Sequence, residues 1–184
     1  FIHNPIALDD AEMKEVEALG KPGFLVVPNA FHRQDSVIYK QRYPDMAVLC
    51  PETARKKVAD LVEVAGTMDE MPKDADVEMF HLRGMKNREG AIRVRSQAGS
   101  AVVFNDALLN LEPGKGAIGF FMAPTGTLSV PRFARWMLVK KGAELKQHLQ
   151  ELAGSPGLRH LVPGHGKVLE TDAVSALQQA AERL

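Results

Sequence analysis

The chain has 184 residues, of which 45% are hydrophobic and 25% charged, and its net charge is +0. That length fits one domain spanning 1–184, at most with two lobes, and it buries a core without disulfides. The balanced charge gives no electrostatic footprint for nucleic acid or an anionic membrane. No apolar run approaches the ~20 residues of a membrane span, and no signal peptide is visible. The lone cysteine, Cys50, excludes an internal disulfide framework and suits a reducing cytoplasm. A small-molecule substrate or ligand is the class of partner left, and an oligomer stays open. The first residue is Phe1 rather than Met, so residues are expected upstream.

Phe1 to His3 reads as the tail of a strand, ended by Asn4-Pro5. Asp9 or Asp10 then caps a helix with Met13, Val16 and Leu19 on one stripe, and Gly20 to Gly23 stops it. Gly23 to Pro28 is a short buried strand, Ser36 to Tyr43 a helix closed by Pro44, and Met46 to Cys50 the next strand. Cys50 reads as a buried small hydrophobe rather than a nucleophile. Pro51 opens a helix with Ala54, Val58, Leu61, Val62 and Ala65 on one face. The first third therefore alternates helix and strand.

Gly66 to Asp76 is polar and loop-like. Val77 to Leu82, Ala91 to Arg95 and Ser100 to Phe104 are short strands in succession, which implies antiparallel pairing, with Arg93 and Arg95 on a solvated face. Glu112 to Val130 is rich in glycine and proline and reads as an irregular excursion. Glu112 to Gly116 lacks the spacing of a phosphate-binding loop. Pro131 to Leu138 and Gly142 to Ala153 are helical, the second with Leu145, Leu149 and Leu152 as its stripe; His148 lies at a helix boundary. His160 to Val162 is the last strand, with His81 and His160 as partly buried histidines. A terminal helix follows, capped by Thr171 or Asp172, with Val174, Leu177, Ala181 and Leu184 inward. Mixed sheets in an α/β domain fit this order.

Three apolar strands each run into a metal-type or acid/base side chain. Leu25 to Val27 leads to Asn29, His32 and Asp35; Ala101 to Phe104 leads to Asp106; Leu161-Val162 leads through Pro163-Gly164 to His165 and Gly166. Ligands of α/β sheets gather at such strand ends. Metal-assisted hydrolysis needs about three converging histidines or carboxylates and an open position for water. His32, Asp106 and His165 would supply them, and Asp35 would add an oxygen. The plainer reading makes Asp106 a turn cap and His32 and His165 surface residues. The G-x-S-x-G nucleophile motif does not occur.

The order of these motifs resembles the metallo-β-lactamase-like superfamily. V-P-G-H-G at Val162 to Gly166 is similar to its last metal histidine, and V-V-F-N-D-A-L-L-N-L at Val102 to Leu111 to the strand ending in its bridging aspartate. V-V-P-N-A-F-H-R-Q-D at Val26 to Asp35 occupies the place of its first motif, H-x-H-x-D-H. An uncharacterised branch of the superfamily is closer still, in the V-P-N-x-x-H turn, the helix ending in R-Y-P, the N-D-x-x-x-N stretch and the late G-H-G. The resemblance covers nearly the whole chain. It implies an αββα sandwich with two mixed sheets, the site at one edge of them, and an N-terminal hairpin missing or shortened.

The chain also departs from that pattern. Asn29 and Phe31 stand where two histidines belong, and Gly84-Met85 is nearest to the middle G-H-T histidine; methionine is a poor zinc ligand. The resemblance thus implies a reduced site with at most one divalent metal (zinc, iron or manganese) or none. The metal ligands would be His32, Asp106 and His165, and the catalytic residues Asp35, Asp106 and His165. The implied protein is a metal-dependent hydrolase, with a non-catalytic binding or subunit protein of the same fold as the rival.

Overall fold

The computed structural model describes residues 1–86, 89–112 and 126–184. The chain divides into two compact units, Phe1–Pro72 and Lys73–Leu184, described in turn. The excursion expected over 112–130, including the stretch 112–116, falls mostly on residues 113–125 and lies outside the described residues.

In the first unit, β1 (Ile2–His3), β2 (Phe24–Val26), β3 (Ala47–Cys50) and β4 (Gly66–Thr67) form a sheet in that order, parallel throughout. Parallel neighbours need crossovers, which α1 (Asp10–Ala18), α2 (Ser36–Arg42) and α3 (Arg55–Ala59) supply. Asp9 caps α1: its carboxylate accepts the N–H groups of Ala11 and Glu12, and Glu12 reaches back to the Asp9 N–H. Met13 joins Leu25, Val27, Tyr39, Val48, Cys50 and Val58 in the core of this unit. Leu25 and Val48 are fully buried, as the short continuous apolar runs require of strands covered on both faces.

Two expectations fail here for one reason: the helices are shorter than their apolar periodicity. Leu19 lies past the end of α1 and is 90% exposed. Leu61 and Ala65 lie past the end of α3 and are exposed, while Ala54, Val58 and Val62 are buried. Gly66 and Thr67 are an edge strand rather than loop, and a one-turn helix at Met68–Glu70 follows, with Met68 buried. A two-residue strand is too short to leave a periodic signal.

In the second unit, β5 (Val77–His81), β6 (Gly90–Ser96), β7 (Gly99–Val103) and β9 (Leu158–Val162) form a mixed sheet in that order; β8 (Leu109–Asn110) and β10 (His165–Gly166) pair separately. β5, β6 and β7 are antiparallel neighbours, and β9 lies parallel to β7. The helices are α4 (Arg132–Met137), α5 (Gly142–Ala153) and α6 (Ala173–Glu182). Leu145, Leu149 and Leu152 of α5 and Leu177 and Ala181 of α6 meet Val102, Phe104 and Leu161 of the sheet side in one core. Val174 faces solvent instead, because α6 begins only at Ala173 and Asp172 takes a left-handed backbone (φ 56°) without capping it through its side chain. Arg93 and Arg95 both pair with Glu78 on the neighbouring strand. His160 is exposed, since β9 turns that face to solvent.

No helix among the described residues is long and apolar enough to cross a membrane. Cys50 ends β3 with no exposed surface, and burial pushes its thiol up to about 11. A buried, protonated thiol reacts slowly. Labelling of the native protein by a disulfide reagent should therefore run at least ~100-fold slower than labelling in denaturant, read by absorbance; equal rates would refute this burial.

Candidate metal centre

The centre is built on two parallel strands that stop together. Val103 of β7 is in register with Val162 of β9, and the Phe104 N–H donates to the Val162 carbonyl (2.8 Å). Past this point the two chains stay side by side. The turn Asn105-Asp106-Ala107 leads into β8, and Pro163-Gly164 leads into β10. His165 pairs with Leu109 and Gly166 with Asn110. The Gly164 N–H donates to the Leu108 carbonyl (3.2 Å), and the Lys167 N–H to the Asn110 carbonyl (3.1 Å). The Asn110 side-chain amide donates back to the Lys167 carbonyl (2.8 Å).

The two glycines around His165 are required by this approach. A Cβ on Gly164 would lie 2.4 Å from the Asn105 carbonyl oxygen. A Cβ on Gly166 would lie 1.9 Å from the Asn110 oxygen, and Gly166 also has φ +92°, a left-handed backbone that favours glycine. The G-H-G sequence therefore presses one loop onto the other and leaves only the histidine side chain projecting. As a result His165 Nε2 lies 3.5 Å from Asp106 Oδ1. The imidazole is 52% exposed and the carboxylate 9%.

A third group, Glu89, was not visible to sequence reasoning. It precedes β6 and is completely buried. Its Oε1 accepts the Ala107 N–H at 2.5 Å, its Oε2 is enclosed with no hydrogen-bond partner among the described residues, and the N–H dipoles of Asn105 and Asp106 favour its charged form. Burial pushes this carboxyl up to about 8; the neighbouring Asp106 charge adds to the rise, and the backbone N–H groups oppose it. In the sequence Glu89 is one acid among charged neighbours. The only signal is its place directly before the apolar start of a strand, Gly90-Ala91-Ile92.

His32 and Asp35 belong to the first unit. Asn29, buried after β2, accepts the N–H groups of Phe31 (2.8 Å) and His32 (3.1 Å) on Oδ1. It shapes the turn that carries His32, which is half-buried, while Phe31 is exposed. Asp35 opens α2 and accepts the Ala7 N–H on Oδ2 (2.7 Å), which ties the segment after β1 to the head of that helix. His3, at the end of β1, has its Nε2 enclosed with no partner among the described residues. Burial, and then the proximity of His32, hold its imidazole down to about 4, so it is neutral near pH 7.

The other singled-out residues have structural roles. His148 lies within α5, not at its boundary; its Nδ1 accepts the Arg83 N–H (3.0 Å), and its ring meets Phe80 edge-on. Met85 is buried and bridges to Val139. Gly84 sits with φ +78°, and a Cβ there would come within 2.3 Å of the Lys141 oxygen.

The donor set at Asp106 and His165 fits a divalent metal. Two ligands each ~2 Å from a tetrahedral zinc lie about 3.3 Å apart, close to the 3.5 Å found. Imidazole nitrogen with carboxylate oxygen suits zinc, iron or manganese. The geometry depends on Gly166, so Gly166→Ala should lower stability by more than ~2 kcal/mol, as expected for a strained left-handed position with a backbone clash. Urea denaturation checks it; a change within ~0.5 kcal/mol would contradict the close approach of the two loops.

No protein-family profile matches the sequence, and no curated protein matches it. Solved structures do. A metallo-β-lactamase from Pontibacter korlensis superposes with TM-score 0.62 at 11% identity, over 100% of this chain and 80% of its own. One from Hirschia baltica gives TM-score 0.57 at 8% identity, over 95% and 78%. The FIM-1 metallo-β-lactamase from Pseudomonas aeruginosa, in its mono-zinc form, gives 0.55 at 12%, over 96% and 76%. These superpositions run over nearly the whole chain and show that it has the metallo-β-lactamase fold.

Proposed function

We propose that the protein is a metal-dependent hydrolase with a single-metal site. The observation that carries this reading is the approach of the Asp106 carboxylate to His165 Nε2, 3.5 Å apart at the ends of neighbouring parallel strands. Both residues stand in the motif order of the fold, and one superposing enzyme is described in a mono-zinc form. In this reading Asp106 and His165 are metal ligands and His32 is the third, on the order of the motifs along the chain. A bound divalent cation would lower the pKa of its water to about 7 and so supply hydroxide near neutrality.

The chain's own groups have distinct parts in this proposal. His165 would give its Nε2 lone pair, and its exposure leaves that side open to a substrate. Asp106 gives a buried anionic oxygen, which partly neutralises the cation. Asp35 serves as a further ligand or as general base through Oδ1, since Oδ2 already accepts the Ala7 N–H. The substrate would be a small ester, thioester, amide or phosphoester. Two observations support a site with a single metal. Asn29 is occupied in shaping its turn, and Met85 is packed in the core, so neither position offers an imidazole.

These same two residues favour the rival, a non-catalytic binding or subunit protein of this fold. Metal content separates the two. Protein purified without added metal should contain about one zinc, iron or manganese per chain by elemental analysis. His165→Ala and Asp106→Asn should each lower that content at least tenfold, and chelator should lower the melting temperature of the wild type but not of either variant. Metal-free protein whose melting ignores both chelator and added zinc would establish the rival.

A further inference from the structure

The Asp106 turn is bound from within by a group that carries no exposed surface. Glu89 cannot touch a substrate: it is fully buried at the head of β6. Yet its Oε1 receives the Ala107 N–H at 2.5 Å, the N–H dipoles of Asn105 and Asp106 also act on the carboxyl group, and its Oε2 is enclosed with no hydrogen-bond partner among the described residues. The residue at the centre of this turn is Asp106.

The energetics make this contact costly to lose. The turn stands beside a core of Ala91, Val102, Phe104 and Leu108, so N–H groups released from Glu89 would have few alternative acceptors. Placing one buried carboxyl next to another is unfavourable by itself, and the Asp106 charge does oppose ionisation of Glu89. The Ala107 hydrogen bond, with lesser help from the N–H dipoles of Asn105 and Asp106, offsets part of that cost at the turn. β10 fixes His165 from the other side through its pairing with Leu109 and Asn110. The separation of Asp106 from His165 is thus set by two anchors, a strand ladder for the histidine and Glu89 for the aspartate.

We propose that Glu89 is a positioning residue: by binding the backbone of the Asp106 turn it sets the Asp106 carboxylate at ligand distance from His165. This rests on the reading of Asp106 and His165 as metal ligands, and its test separates the two. Glu89→Gln keeps an acceptor oxygen at the same reach. Glu89→Asp keeps the carboxylate but draws it back by ~1.5 Å, one carbon–carbon bond. Zinc affinity is read by competition with a chromophoric chelator, and amide hydrogen exchange at residues 105–107 is read in the metal-free proteins. Glu89→Gln should bind zinc within about threefold of wild type. Folded Glu89→Asp should bind at least tenfold more weakly, with exchange at 105–107 at least tenfold faster and exchange in β6 and β7 unchanged.

A purely structural role would lower the melting temperature of Glu89→Asp and leave the zinc affinity of its folded form as in wild type; that result overturns the proposal. If Glu89→Asp does not fold, a folded Glu89→Gln that loses zinc tenfold overturns it, and one that keeps zinc and protection at 105–107 supports it. If the wild type takes up no zinc, the metal reading fails and exchange alone decides. Faster exchange confined to 105–107 in Glu89→Asp then supports the positioning role, and unchanged exchange overturns it.

Discussion

The candidate centre depends on one close approach of backbone to backbone. β8 and β10 are only two residues each, and a pair that short has little stability alone. It persists because it continues the β7–β9 pairing through the Phe104–Val162 hydrogen bond and because Gly164 and Gly166 present no Cβ to the opposing loop. Any side chain at either glycine would meet backbone oxygen at less than contact distance. His165, the one residue between them that carries a side chain, is thereby forced outward toward Asp106.

The same constraint divides the labour between the two groups. His165 is exposed and free of the core, so its imidazole can meet a ligand from solvent. Asp106 is nearly buried, and its charge must be balanced from within. The Ala107 N–H of its turn is committed to Glu89, and His165, 3.5 Å away, lies where it contributes to that balance. A bound metal would satisfy the aspartate and the histidine together.

Much of the fold was legible because the buried strands are continuous apolar runs with glycine or proline at their ends. Leu25 to Val27, Val102, Phe104 and Leu161 could be placed on that signal, and each is core. Asp106 and His165 were legible for a related reason: each follows such a run directly. What was not legible was either too short or too dependent on distant partners. The strand at Gly66–Thr67 and the ladder at β8 and β10 leave no periodic trace in two residues. Leu19, Leu61 and Val174 matched an apolar stripe but fell outside or at the very start of their helices. Glu89 is indistinguishable from a surface acid until β6 brings it under a turn far along the chain.

Diffraction from crystals soaked in zinc, recorded on both sides of the zinc absorption edge, tests the central claim most directly. The account predicts one anomalous peak per chain, ~2 Å from both His165 Nε2 and an oxygen of Asp106. A peak bound elsewhere, or none at this pair in fully soaked crystals, would contradict it.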